Sequence, residues 1–309
     1  MKVALIFGVG GFVGPYLAKQ LKQQDYKVYG TDVFDHLKDE SFLDAYYSSN
    51  ILDSQKVDEL ITKINPTHII NLAAISSVGQ SWKNPGLTMQ INVNGTLNIL
   101  ESCLKNNIKP KVLLIGSSEE YIISDKPLDE FAPINANNPY GISKIAQEQF
   151  ASIYREKYDW DIFCVRAFNH IGVGQRDNFV ISSWCKQIAE IEKGEKEPVL
   201  SVGNLAVERD FTDVRDIVKA YALVLEKGNS SEIYNIGSGK AVPLKEILDY
   251  IVGLSSKKIQ VTIDKSLLRP NDNKFICANS DKIKKSLNWN VEHDLFNTIK
   301  EIFNSYLKQ

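Results

Sequence analysis

Cysteine is scarce in this chain, and so is any surplus of charge. The four cysteines, Cys103, Cys164, Cys185 and Cys277, stand 61, 21 and 92 residues apart. Those spacings match no zinc or redox motif, and three of the four lie in apolar surroundings, so buried free thiols are expected. Lys and Arg total 36 against 38 Asp and Glu, a formal net charge of −2. Without a basic excess the chain is not a dedicated nucleic-acid binder. A pocket for a small anion needs only two or three local cations, so that class stays open. No apolar run reaches the roughly 18 residues of a membrane span, and the first residues run straight into a strand-like segment with no basic leader. No membrane partner and a cytoplasmic location are therefore expected. Repeats, low-complexity tracts and long linkers are also absent, and 309 residues suggest about two domains.

What is present is a rhythm. Val3-Ala4-Leu5-Ile6-Phe7 is apolar without alternation, the mark of a strand buried on both faces. Lys27–Thr31, Thr67–Leu72, Val112–Ile115 and Ile162–Val165 repeat it. The stretches 86–107 and 139–157 have the pattern of long helices. This alternation predicts an α/β fold, a doubly wound Rossmann-type parallel sheet with right-handed crossovers. After about residue 170 the pattern changes. Helices are expected over 178–193 and 214–227, the latter capped by Asp213, with a strand at Ile233–Gly237. The expected division is a dinucleotide-binding domain over 1–168 and a smaller α/β substrate-binding domain over 169–309, with segments near 212–238 able to rejoin the first sheet.

Gly8, Gly11 and Gly14 form GxxGxxG between the first strand and the next helix, with Phe12 and Val13 inside the turn. A glycine triplet alone is a weak signal; between a strand and a helix it marks a dinucleotide pyrophosphate site on a helix N-terminus. Asp32 ends the second strand 18 residues after Gly14, where a carboxylate holds ribose hydroxyls and repels a 2′-phosphate. NAD(H) is favoured, with NADP(H) as the alternative. Asp53 could accept from the adenine amino group. Asn71-Leu72-Ala73-Ala74 ends the next strand, and small residues there let the backbone approach a cofactor.

Tyr140 and Lys144 stand at i and i+4, on one face of a helix. A phenol titrates near 10, and a neighbouring ammonium together with a nicotinamide cation can draw it toward 7. Tyr140 could then exchange a proton with a sugar hydroxyl or carbonyl. Ser117 follows the strand Val112–Ile115, at the end where ligands sit in open α/β sheets. It is placed to hydrogen-bond the reacting oxygen. Of the pair Glu119 and Glu120, one inside a cleft could serve as a base.

These residues, with Asn71-Leu72-Ala73-Ala74 and Asn92-Val93-Asn94-Gly95-Thr96, resemble the extended short-chain dehydrogenase/reductases, most of which act on nucleotide sugars. Arg166 to Gln175, Val202 to Leu205, Arg209 to Asp216 and Leu268-Arg269-Pro270 narrow the resemblance to the members that handle GDP-mannose derivatives. The resemblance implies a catalytic set of Ser117, Tyr140 and Lys144, with Lys144 also on the nicotinamide ribose and Asn92 near the cofactor. It implies substrate contacts from Ser117, Ser118, Glu119, Asn169, Lys186, Arg209 and Arg269. Reduction of the C4 ketone of GDP-4-keto-6-deoxy-D-mannose is the expected reaction, giving the rhamno or talo product. Dehydration of GDP-mannose with Glu119 as base is the first alternative, then another nucleotide-sugar epimerase or reductase, and last a non-catalytic NAD(H) sensor. Tyr121 closes the Ser117 segment, and Ile122 departs from the glycine that relatives usually have after it. The resemblance further implies a homodimer through a four-helix bundle of the two long helices, with Leu97, Leu100, Ile145 and Phe150 among its apolar positions.

Overall fold

Residues that alternate along a strand point to opposite faces of its sheet, so a strand apolar at every position must be covered on both sides. In the computed structural model, which describes residues 1–122, 124–267 and 273–309, that requirement is met. Ala4 and Ile6 face one layer with Leu17, Leu21, Ile217 and Tyr221. Leu5 and Phe7 face the other with Val57, Ile61, Ile99 and Leu100. Each such side chain, fully buried, contributes about 1.5–3 kcal/mol.

The sheet has seven strands. In spatial order they are Ile233–Ile236, Ile162–Ala167, Lys111–Ser117, His68–Asn71, Lys2–Phe7, Tyr26–Asp32 and Ala45–Ser48. Every neighbouring pair is parallel. The helices Val13–Lys22 and Val214–Lys227 cover one face; Ser54–Ile64, Gly95–Lys105 and Pro139–Tyr158 cover the other. The direction of winding reverses between Lys2–Phe7 and His68–Asn71. That switch point opens a crevice at the strands' C-terminal ends.

The second half of the chain adds Ile233–Ile236 to this sheet and builds a smaller layer beside it. There Glu208–Asp213 pairs with Ala241–Pro243, Phe275–Ile276 and Asn169–Ile171. Val199–Val202 pairs separately with Gln260–Ile263. A second core, including Trp184, Ile188, Phe211, Ile247 and Phe303, holds the helices Val180–Glu192, Leu244–Gly253 and Leu295–Leu307 together.

Several expectations change here. The stretch 86–107 is not one regular helix. Pro85–Met89 leads into a π-helical turn, Gln90–Asn94, before Gly95–Lys105. The widened turn coincides with a polar knot: Asn92 bonds the backbone of Ile75, and Thr96 bonds the Asn92 carbonyl at 2.8 Å. Leu100 is fully buried against the sheet and leaves the set of outward-facing apolar positions. The strand Ala45–Ser48 was not expected, nor was Glu208–Asp213, which carries four charged residues and no simple apolar run. All four cysteines are buried and free.

Candidate active site

The glycine loop is shaped by steric exclusion. Gly8 has φ +77°, and a Cβ on it would lie 2.5 Å from the Ala73 backbone nitrogen; one on Gly14 would lie 1.9 Å from the Val9 carbonyl oxygen. The loop therefore presses against the Leu72–Ala74 segment and against the start of helix Val13–Lys22. Gly8, Gly11, Phe12 and Val13 line a cleft of about 800 Å³ together with Leu72 and Ala74. At the end of its strand, Asp32 accepts from the Gly10 N–H at 3.0 Å and from the Val33 N–H at 2.7 Å, which fixes its carboxylate beside the loop. The Asp53 carboxylate is engaged in capping. It is the N-cap of Ser54–Ile64 and accepts from the Lys56 N–H at 3.1 Å.

The catalytic helix begins at Asn138, whose Oδ1 accepts from the Gly141 N–H at 2.9 Å, with Pro139 in the first turn. A Cβ on Gly141 would meet the Glu119 carbonyl oxygen at 2.3 Å, so the missing side chain lets this helix lie against the turn Ser118–Glu120. Tyr140 and Lys144 thereby reach the same cleft wall as Ser117, Ser118 and Glu119. The Lys144 ammonium lies 5.8 Å from the Tyr140 ring centre and donates to the Ile115 carbonyl at 2.7 Å and to Gln147 Oε1 at 3.0 Å.

Burial pushes the Tyr140 phenol up, and the Ser117 hydroxyl counteracts it, while Glu120 and Glu119 add to the rise. Burial moves Lys144 the other way, down to about 8, opposed by Glu120. Tyr140 is thus a protonated phenol near neutral pH. Glu119 Oε2 accepts from Asn138 Nδ2 at 2.8 Å. Asn92 does not line the cleft. It is buried and donates to Ser143 Oγ at 2.8 Å, which ties Ile75 to the catalytic helix.

Asn169 and Arg209 line the far side of the cleft, Arg209 from the centre of the smaller sheet. Lys186 stands outside it, paired with Asp177 at 2.5 Å in an adjoining surface groove. Arg269 lies outside the described residues. Several cleft-lining residues escaped the sequence reading, His170, Trp184 and Arg176 among them. His170 lines the cleft and stacks on Phe12 with centroids 6.1 Å apart, and burial lowers its pKa. Trp184 and Arg176 also line it. Arg176 follows directly on the Arg166–Gln175 string, so its cationic side chain was the available signal.

A family model described as GDP-mannose 4,6 dehydratase matches residues 5–302. The chain belongs to the GDP-mannose 4,6-dehydratase family. Its fold and its relatives make it an extended short-chain dehydrogenase/reductase, an enzyme class that acts on nucleotide sugars. It is 26% identical over 304 residues to the GDP-6-deoxy-D-mannose reductase of Pseudomonas aeruginosa, covering 97% of this chain and 96% of the relative. It is 27% identical over 352 residues to the GDP-mannose 4,6-dehydratase of Vibrio cholerae, covering 100% and 94%. Among solved structures, RMD from Pseudomonas aeruginosa complexed with NADPH superposes with a TM-score of 0.88, at 26% identity, covering 100% and 99%. The UDP-glucose 4-epimerase of Thermus thermophilus, a complex with NAD, shares the fold at TM-score 0.86 and 23% identity, covering 98% of each chain.

Proposed function

We propose that this family member reduces the C4 ketone of GDP-4-keto-6-deoxy-D-mannose with a nicotinamide cofactor. The observation that carries the reading is the convergence of Ser117, protonated Tyr140 and cationic Lys144 on one wall of the cleft that the glycine loop opens into. The cofactor fits this chain: Gly8 and Gly11 line the cleft, Gly8 and Gly14 allow the close backbone packing that shapes the loop, and the N-terminus of helix Val13–Lys22 favours a pyrophosphate. Gly8, Gly11, Phe12, Val13 and Gly14 would hold that group, with Leu72, Ala73 and Ala74 against it and Lys144 on the nicotinamide ribose. Asp32 would hold the adenosine ribose, which favours NAD(H). When bound, the reduced nicotinamide supplies the hydride.

The chain's own residues do the rest. Tyr140 holds a proton at its phenol oxygen and delivers it to the ketone oxygen as that oxygen becomes an alkoxide. Ser117 orients the same oxygen by hydrogen bonding. The Lys144 ammonium stabilises the phenolate left behind. Arg209 and Arg176, on the far side of the cleft, would meet the substrate's diphosphate, with Asn169 near the sugar-phosphate region.

Dehydration of GDP-mannose is the second reading, favoured by one observation: Glu119 lines the cleft with its carboxylate held by Asn138. It would remove the C5 proton. Alignment length supports the reductase. The reductase relative aligns over 304 positions, whereas the Vibrio dehydratase needs 352 against this 309-residue chain, so it carries insertions that this chain lacks. The test supplies GDP-mannose alone, then GDP-mannose with an authentic dehydratase and NADH. Product only in the second mixture supports the reductase; a ketone formed from GDP-mannose alone makes the protein a dehydratase.

A further inference from the structure

The active site rests on a buried carboxylate that the mechanism above does not use. Glu120 is completely buried, one residue after the cleft-lining Glu119. Its Oε1 accepts from the Ser117 backbone N–H at 2.6 Å. Two residues earlier on the same strand, the Ile115 carbonyl accepts from Lys144 Nζ. Residues i and i+2 of a strand present these groups on the same edge, so carboxylate and ammonium come to one edge of one strand end.

The surrounding charges leave Glu120 poorly matched. From strand Ile162–Ala167, Arg166 donates from Nη2 and Nε to Glu148, at 2.6 and 3.1 Å, and from Nη1 to the Glu130 carbonyl, and reaches Glu120 Oε2 only as an ion pair at 3.5 Å. That oxygen finds no hydrogen-bond partner among the described residues. The other groups facing it are Glu148, Lys144 and Tyr140 from the catalytic helix and Cys164 from the strand. A wholly buried carboxylate with half its acceptors unmet is costly to ionise unless a cation shares the charge.

We propose that Glu120 is a positioning residue for Ser117 and the titrating partner of Lys144, so that its carboxylate keeps Lys144 cationic as the pH rises. Directions of titration agree with the geometry: burial and Glu148 push Glu120 up, Arg166 and Lys144 pull it down, and Glu120 in turn raises Lys144. Two groups coupled this closely lose their protons in steps that belong to the pair. The proposal rests on the reading of Ser117, Tyr140 and Lys144 as the catalytic set.

Glu120→Gln tests it, because the amide oxygen can still accept from the Ser117 N–H while the charge is gone. NADH binding, read by fluorescence, should persist. The alkaline limb of the kcat/KM profile for the ketone substrate should move to lower pH by about one unit, since Lys144 loses the group that holds its proton. Glu120→Asp keeps the charge and should keep the limb; Glu120→Leu should lose turnover near neutral pH as well, because Ser117 is no longer held. A parent-like limb in Glu120→Gln, or a uniform fall at every pH, overturns the proposal. If Glu120→Gln fails to bind NADH, or the parent turns over no nucleotide sugar, a pH-difference infrared spectrum of the parent decides without substrate. A protonated-carboxyl band lost between about pH 6 and 9 supports the pairing. Carboxyl groups already ionised throughout that range contradict it.

Discussion

At Tyr140 the environment favours the protonated phenol. Burial holds the phenol protonated and lowers its lysine neighbour; in the proposed mechanism Tyr140 gives the proton and Lys144 stabilises the phenolate. Tyr140→Phe should cut kcat by about 10²–10⁴-fold while NADH still binds; turnover assays with fluorescence titration check both. In the proposed cofactor site the Asp32 carboxylate would repel a 2′-phosphate. Asp32→Ala should lower the kcat/KM preference for NADH over NADPH, read from paired cofactor titrations. Gly8 is the third test at this scale. Gly8→Ala imposes a side chain at φ +77° and within 2.5 Å of the Ala73 nitrogen, so it should cost about 1–3 kcal/mol in urea unfolding and weaken cofactor binding.

These residues were legible because their signals are local. A glycine triplet in a strand-to-helix turn and an i, i+4 Tyr–Lys pair carry their geometry with them. Glu120 was legible as one of an acidic pair, but not as buried, because burial depends on Arg166, which lies 46 residues further along. Asp53 looked like an adenine contact in sequence, and only the helix that starts behind it shows that the carboxylate serves as a cap.

Elements were legible in proportion to their apolar continuity. The central strands and the helix Val214–Lys227 follow from patterning and caps. Glu208–Asp213 did not, because its charged positions serve a sheet that forms only when four distant segments meet. The π turn at Gln90–Asn94 was invisible for a related reason: it coincides with a tertiary knot that joins Asn92 to Ile75 and Ser143. One strand carries a pH prediction. His68 opens the strand His68–Asn71, its Nδ1 within 2.8 Å of Thr67 Oγ1 and its ring edge-on to Tyr26, and burial lowers its pKa from 6.5 to about 4. The unfolded chain therefore takes up the proton first. The contribution is present above about pH 6.5 and is lost as pH falls from there toward 4, at no more than about 1.4 kcal/mol per pH unit. Urea midpoints across that range check it, and His68→Asn should flatten that part of the curve.

Across the whole molecule, the first sheet presents a cofactor cradle at its switch point, and the smaller layer supplies Asn169 and Arg209 on the opposite wall. We propose that the halves divide the work in this way, cofactor to one and substrate to the other. Helix Pro139–Tyr158 and its neighbour Val78–Lys83 also expose apolar surface. Ile142 and Ile153, about three turns apart on helix Pro139–Tyr158, are 48% and 55% exposed, and Trp82 is 61% exposed. We propose a homodimer that buries Ile142 and Ile153. Ile153→Glu should shift the sedimentation mass toward the monomer, and a parent monomeric at micromolar concentration would contradict the dimer.

Hydride transfer can be followed through a single labelled atom. The protein is given GDP-4-keto-6-deoxy-D-mannose and NADH carrying deuterium at the transferable C4 position, and the product is read by NMR. Reduction by the Ser117–Tyr140–Lys144 set predicts deuterium at C4 of the sugar. An unlabelled C4, with the ketone left intact, would contradict it.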